Sequence, residues 1–158
     1  MLESAPMTES APRSRTFADM KTVGTSLAVL LLLGAWAASA QDAGPSVWSG
    51  VFTAAQAKRG EEAYQSNCSG CHGGDLHATN SEAPDLTGPA LRAKWTGRTL
   101  ADRFETIRDT MPPGSPNSVG EKSYLEILTF ILQSNDVPTG NQELSAETAK
   151  RIVFAPKP

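Results

Sequence analysis

The segment Cys68-Ser69-Gly70-Cys71-His72 decides how the rest of this 158-residue chain is interpreted. It matches the C-x-x-C-H pattern of covalent haem attachment. Two thiols three residues apart lie on one side of a helical turn, so both can reach the vinyl groups along one edge of a porphyrin. The imidazole that follows is then placed to ligate the iron. The motif predicts one haem c bonded to Cys68 and Cys71, with His72 as an axial ligand.

A C-x-x-C pair also occurs in thioredoxin-like redox sites, zinc sites and short-loop disulfides. A redox pair is typical of alternating strands and helices, whereas the flanking sequence here shows no strand alternation. A zinc site needs four ligands, and His72 and His77 could complete one only within a cramped loop. The adjoining histidine and the N-terminal sequence favour haem attachment over these alternatives.

Residues 1–40 have the pattern of an export signal. Met20-Lys21 forms a short charged start, residues 23–37 are mainly apolar, and Ala38-Ser39-Ala40 is typical of a cleavage site. The apolar run is shorter than the ~20 residues of a membrane-spanning helix, so we expect no membrane span after cleavage. The residues before Met20 are either a long lead-in or the result of a misassigned start codon, and we favour a start at Met20. These features predict a mature chain from Gln41 in the periplasm or otherwise exported.

The mature chain is long enough for one domain. We expect a mature N-terminal segment at 41–52, a haem domain at 53–133 and a C-terminal extension at 134–158. The formal net charge is −3 at pH 7, with 17 acidic and 14 basic side chains. Because nucleic acid binding depends on a basic surface, that balance argues against a nucleic acid partner.

A low-spin electron carrier needs a second strong ligand opposite His72. Of the four methionines, three lie within or before the export signal, which leaves Met111. The prolines after Met111 stiffen its loop. The alternatives are Met111 as core filler and His77 as the ligand, but His77 lies too near His72 in the chain to cross easily to the far face. The elimination predicts a His72/Met111 pair and electron transfer rather than catalysis, because no iron position stays open.

Apolar periodicity predicts an all-α fold. The expected first helix covers 54–66, with Thr53 as N-cap and Gln56 placed as in a capping box. Further helices are expected at 99–109, 121–133 and 146–153, and the helix at 121–133 should cross the first one near Gly60. Residues 73–97 are rich in Gly, Pro, Asp, Thr and Ser and are predicted to be a loop over the haem.

Three residues of that loop are candidate haem contacts. Pro84 and Leu86 are expected to cover the His72 side. For Trp95 the sequence favours neither of two interpretations. The side chain either contacts the haem edge or its propionates, or it packs in the ordinary core.

Together these residues resemble the class I cytochrome c family, over residues 53–133. The resemblance implies a small all-α fold whose N- and C-terminal helices cross around a covalently bound haem. It implies that Gly60 and Tyr64 form the glycine-aromatic pair of the first helix, opposite Ile127 and Phe130.

The resemblance also implies that the Pro84 carbonyl accepts a hydrogen bond from His72 and that Leu86 packs on the haem. The family commonly has Gly-Pro before this leucine, whereas here Ala83 precedes Pro84.

The function implied is that of a periplasmic one-electron carrier, not an enzyme, whose haem c cycles between ferric and ferrous states. Its donor would be a dehydrogenase and its acceptor a membrane oxidase or another cytochrome. The alternative is a cytochrome subunit of a dehydrogenase complex, with the tail after Pro138 docked on a partner. Residues 124–140 resemble cytochromes associated with quinoprotein dehydrogenases. A haem enzyme or gas sensor would require Met111 to be displaced from the iron.

Overall fold

The computed structural model describes residues 44–158, whose secondary structure is helical. A 3-10 turn at Val47–Ser49 precedes six α-helices, which are α1 (Ala54–Asn67), α2 (Ser69–His72), α3 (Gly88–Trp95), α4 (Leu100–Thr110), α5 (Glu121–Ser134) and α6 (Ala146–Ala149). The expected all-α fold is confirmed for this part of the chain. None of its helices is both long and apolar enough to cross a membrane. The predicted export signal lies outside the described residues.

Helices α1 and α5 cross in close contact at Gly60. A Cβ added to Gly60 would overlap the backbone carbonyl of Glu126, so only glycine lets the two helices approach this closely. One turn further along α1, the Tyr64 ring lies 5.1 Å from the Phe130 ring, centroid to centroid. At the rim of the crossing, Arg59 Nε donates to Glu126 Oε1 over 2.6 Å. The predicted crossing near Gly60 is confirmed.

The N-cap predicted at the start of α1 is present, but the capping box predicted with it is incomplete. The Thr53 hydroxyl accepts a hydrogen bond from the Gln56 amide, as an N-cap should. The predicted capping box is wrong in its second half, because the Gln56 side chain is buried and bonds to the backbone of Leu144 instead. A reciprocal capping box does occur at the start of α4, between Thr99 and Asp102.

The prediction that residues 73–97 form only a loop is wrong, because α3 occupies 88–95. Pro89 stands in the first turn of α3, where the missing N–H costs no helical hydrogen bond. Leu91 and Trp95 follow one turn apart and are both buried. The Gly-Pro pair at 88–89 therefore marks the start of a helix rather than the continuation of a loop.

Residues 134–158 pack onto the helical core. The α6 helix ends at Ala149 rather than at 153 because Val153 instead forms backbone bridges to Ser46 and Thr99. Phe154 is buried and its ring lies 5.7 Å from that of Trp95. This segment thus completes the apolar core.

Candidate haem site

The C-x-x-C-H motif forms a helical turn directly after α1. The Cys68 amide donates to the Tyr64 carbonyl, and the His72 amide donates to the Cys68 carbonyl over 3.0 Å. This turn directs both cysteines and the histidine into one cavity. Cys68 is half-buried and Cys71 is exposed, and both thiols are free. Burial, with a contribution from the charge on Cys71, raises the pKa of the Cys68 thiol to about 11.

The His72 ring is held by a backbone carbonyl. Its Nδ1 lies 2.9 Å from the Pro84 oxygen, and because a carbonyl only accepts, Nδ1 carries the proton. That tautomer leaves Nε2 free as a metal ligand. On the chain just after His72, the buried Tyr64 hydroxyl donates to the Gly73 carbonyl over 2.8 Å. The contact that the family resemblance implied between Pro84 and His72 is present.

The segment carrying Pro84 is fixed by Asn135, at the end of α5. Asn135 is 2% exposed. Its Nδ2 donates to the Leu86 carbonyl over 3.0 Å, and its Oδ1 accepts from the Gly88 amide over 3.1 Å. One buried amide therefore connects α5, the Pro84–Leu86 segment and the start of α3.

Met111 follows the last turn of α4. Its amide donates to the Ile107 carbonyl over 2.9 Å, and its carbonyl accepts from the Tyr124 hydroxyl over 2.7 Å. The residue is half-buried and borders the same cavity as His72. Two segments far apart in the chain thus bring an imidazole and a thioether to one site.

The cavity has a volume of about 500 Å³, which is within the range of cofactor sites. All seven predicted haem contacts line it, namely Cys68, Cys71, His72, Pro84, Leu86, Trp95 and Met111. Trp95 both borders the cavity and packs on Phe154, so its two interpretations are compatible. His77 does not line it, and its exposed ring lies 3.5 Å from the Asp85 carboxylate.

Arg103 on α4 borders the cavity with an unpaired polar atom. Its Nε is buried without a hydrogen-bond partner, whereas buried polar atoms are almost always paired. A haem presents carboxylates that would accept from this nitrogen. Paired thiols, an imidazole with one nitrogen held, a thioether and this donor together fit a covalently attached haem.

Arg103 and Asn135 were missed by sequence reasoning. The sequence spacing could have indicated Arg103. Arg103, Ile107 and Met111 are spaced four residues apart along α4 and at its end, which places them on one helical face. Asn135 gave no comparable signal, since its partners lie far away in the chain.

The chain is similar to a known protein family and to a chain of a solved structure. Residues 55–131 match the family model described as cytochrome c oxidase, cbb3-type, subunit III. A chain of the sulfane dehydrogenase SoxCD from Paracoccus pantotrophus aligns with 19% sequence identity and a TM-score of 0.49, over 68% of this chain. This chain covers 61% of the length of that one. No curated protein matches the sequence.

Proposed function

We propose that this chain, whose residues 55–131 match a cytochrome c family model, is a class I monohaem c-type cytochrome that works as a periplasmic one-electron carrier, with His72 and Met111 as axial ligands. Bound haem c supplies a reversible ferric/ferrous couple. The observation that carries the proposal is the convergence of the C-x-x-C-H turn and Met111 on one cavity. His72 and Met111 would together hold the iron from two sides, which would leave no position on it for a substrate or gas.

The residues around the cavity support transfer of electrons rather than of groups. The Pro84 carbonyl accepts from His72 Nδ1, and this bond would hold the imidazole in one orientation toward a bound iron. Buried apolar side chains such as Leu91 and Ile131 limit the access of water. Methionine ligation raises the reduction potential relative to a second histidine. Because Cys71 is exposed, a haem bonded to it would have one edge near solvent, where a partner protein could approach.

Partners are proposed from this chemistry alone. A dehydrogenase would donate the electron, and a membrane oxidase or another cytochrome would accept it. The alternative, a cytochrome subunit of a dehydrogenase or oxidase complex, has one observation in its favour, since the matching family model describes an oxidase subunit. Against a tail reserved for docking, Leu144 and Phe154 are buried in this chain's own core.

The deciding experiment combines a haem-stained denaturing gel with absorption spectra in both oxidation states. The unsubstituted protein should stain, and its ferric form should show the weak long-wavelength band of methionine-ligated haem. C68A/C71A should lose the stain, whereas M111A should keep the stain and lose the band. A band that survives in M111A would refute the ligand assignment. Native size measurement of the stained species in a periplasmic extract separates the free carrier from a complex subunit.

A further inference from the structure

Tyr124 joins the two ends of the loop that carries Met111. Its side chain is 1% exposed, in the first turn of α5, and its ring borders the cavity. The hydroxyl donates to the Met111 carbonyl over 2.7 Å and accepts from the Val119 amide over 3.4 Å. A single hydroxyl therefore contacts the first and last residues of the segment 111–119, which we call the methionine loop.

The methionine loop has few other anchors. Residues 113–118 are exposed, so their side chains do not fix them to the core. Two backbone hydrogen bonds hold this stretch, from the Ser115 amide to the Pro112 carbonyl and from the Asn117 amide to the Arg108 carbonyl. Segments with few buried contacts open at low free-energy cost. Loss of one anchor should therefore have a large effect on how often the loop opens.

We propose that Tyr124 is a positioning residue that holds Met111 where its thioether reaches the haem iron. This inference rests on the proposed ligation by Met111. The Met111 amide is bound to Ile107 at the end of α4, so the bond from Tyr124 to the Met111 carbonyl fixes the residue from its other side. Removal of the hydroxyl keeps the ring in place but frees this carbonyl and the Val119 amide. Met111 then leaves the iron more readily.

The test compares Y124F with T129V as ferric holo-cytochromes. Thr129 is a matched control because it lies on the same helix and is also fully buried, and its hydroxyl donates to the Glu126 carbonyl over 2.7 Å rather than to the methionine loop. Thr129 does not line the cavity. Imidazole is titrated in as a competing ligand, and its binding is followed by loss of the long-wavelength band. The net strength of one hydrogen bond corresponds to about tenfold in an equilibrium constant. Y124F should therefore bind imidazole about tenfold more tightly than the unsubstituted protein, and T129V within about twofold of it.

Equal imidazole affinities of Y124F and T129V would overturn the role of Tyr124. If M111A kept the long-wavelength band, the proposed ligation by Met111 would be refuted. If M111A lost the band but Y124F bound imidazole no more tightly than the unsubstituted protein, only the role of Tyr124 would be rejected. Should Y124F not fold, amide hydrogen exchange of the unsubstituted protein gives a second test. Saturating imidazole should accelerate exchange at Val119 but not at Cys68, whose amide is bound to Tyr64. Unchanged exchange at Val119 would overturn the proposal.

Discussion

Gln56 and Leu144 exchange two hydrogen bonds of 2.8 Å each, so a side-chain amide on α1 pairs with the backbone of the C-terminal segment. Gln56 is 3% exposed and Leu144 also 3%. The Gln56 amide supplies one donor and one acceptor, which match the carbonyl and N–H of Leu144. The pair fastens the segment 134–158 to the helix that precedes the haem-attachment turn.

Replacement of Gln56 with Ala should destabilise the holo-protein by roughly 2–4 kcal/mol, because two buried backbone groups of Leu144 lose their partners. Denaturant unfolding followed by far-UV circular dichroism measures the change. Q65A is the control, since Gln65 lies on the same helix and donates to the Gly74 carbonyl at an exposed position. Its effect should stay within about 0.5 kcal/mol. Equal effects of the two substitutions would contradict the importance of the Gln56–Leu144 pair.

Replacement of Gly60 with Ala should separate α1 from α5, since the new Cβ meets the Glu126 carbonyl rather than a movable side chain. Overpacking at such a contact costs roughly 1–3 kcal/mol, which outweighs the gain in helix propensity of about 1 kcal/mol. Thermal unfolding of the ferrous protein would reveal the loss. G70A makes the same chemical change where nothing lies within 4 Å and should leave the melting temperature the same or higher. A stable G60A protein would show that the crossing tolerates a wider separation.

Replacement of Arg103 with Gln should lower the midpoint potential. A cation beside the cofactor favours the ferrous state, which carries less positive charge, so its removal favours the ferric state. The expected shift is roughly 20–60 mV, the scale of one partly screened charge on a one-electron couple. Potentiometric titration measures it. R98Q is the control, because Arg98 is exposed and does not line the cavity, and a shift equal to that of R103Q would argue against contact between Arg103 and the haem.

Replacement of Asp102 with Asn should reduce stability only above acidic pH. The Asp102 carboxylate accepts from the Thr99 amide over 3.0 Å, and this bond holds its pKa below the usual value. A carboxyl whose pKa is lower in the folded state stabilises the fold above its unfolded pKa of about 3.9, and that contribution disappears as the pH falls through the folded pKa. The stability difference between D102N and the unsubstituted protein should therefore be full near pH 6 and shrink below about pH 4. The effect should be small because the carboxylate is exposed to solvent.

Unfolding curves at a series of pH values check this, with E105Q as the control on the same helix. Glu105 is exposed and caps no helix end, so the pH dependence of its variant should follow that of the unsubstituted protein. If the loss of stability in D102N stayed constant down to pH 3, the effect of Asp102 would come from its shape and not from its negative charge.

The helix bounds could be predicted because they depend on neighbours in the chain. Helices α1 and α5 begin at their predicted residues, whereas α4 begins at Leu100, one residue after its predicted start. Each of these three helices ends one residue beyond its predicted end. The candidate site was equally accessible, since C-x-x-C-H is a local motif and Met111 was the one methionine left after the predicted signal. The error at α3 arose because Gly-Pro is compatible with both a loop and a helix start, and the packing of Leu91 and Trp95 decides between them.

The sequence by itself determined which haem-binding chemistry to expect, because the rare side chains Cys, His and Met left almost no choice of candidate ligands. Only the tertiary structure decided what holds those side chains in place. The partners of Gln56 lie 88 residues away, and the Gly88 amide reaches Asn135 across 47 residues. Such pairs produce no periodic pattern in the sequence, because a buried side-chain amide forms hydrogen bonds with whichever backbone groups the packing of helices brings near it.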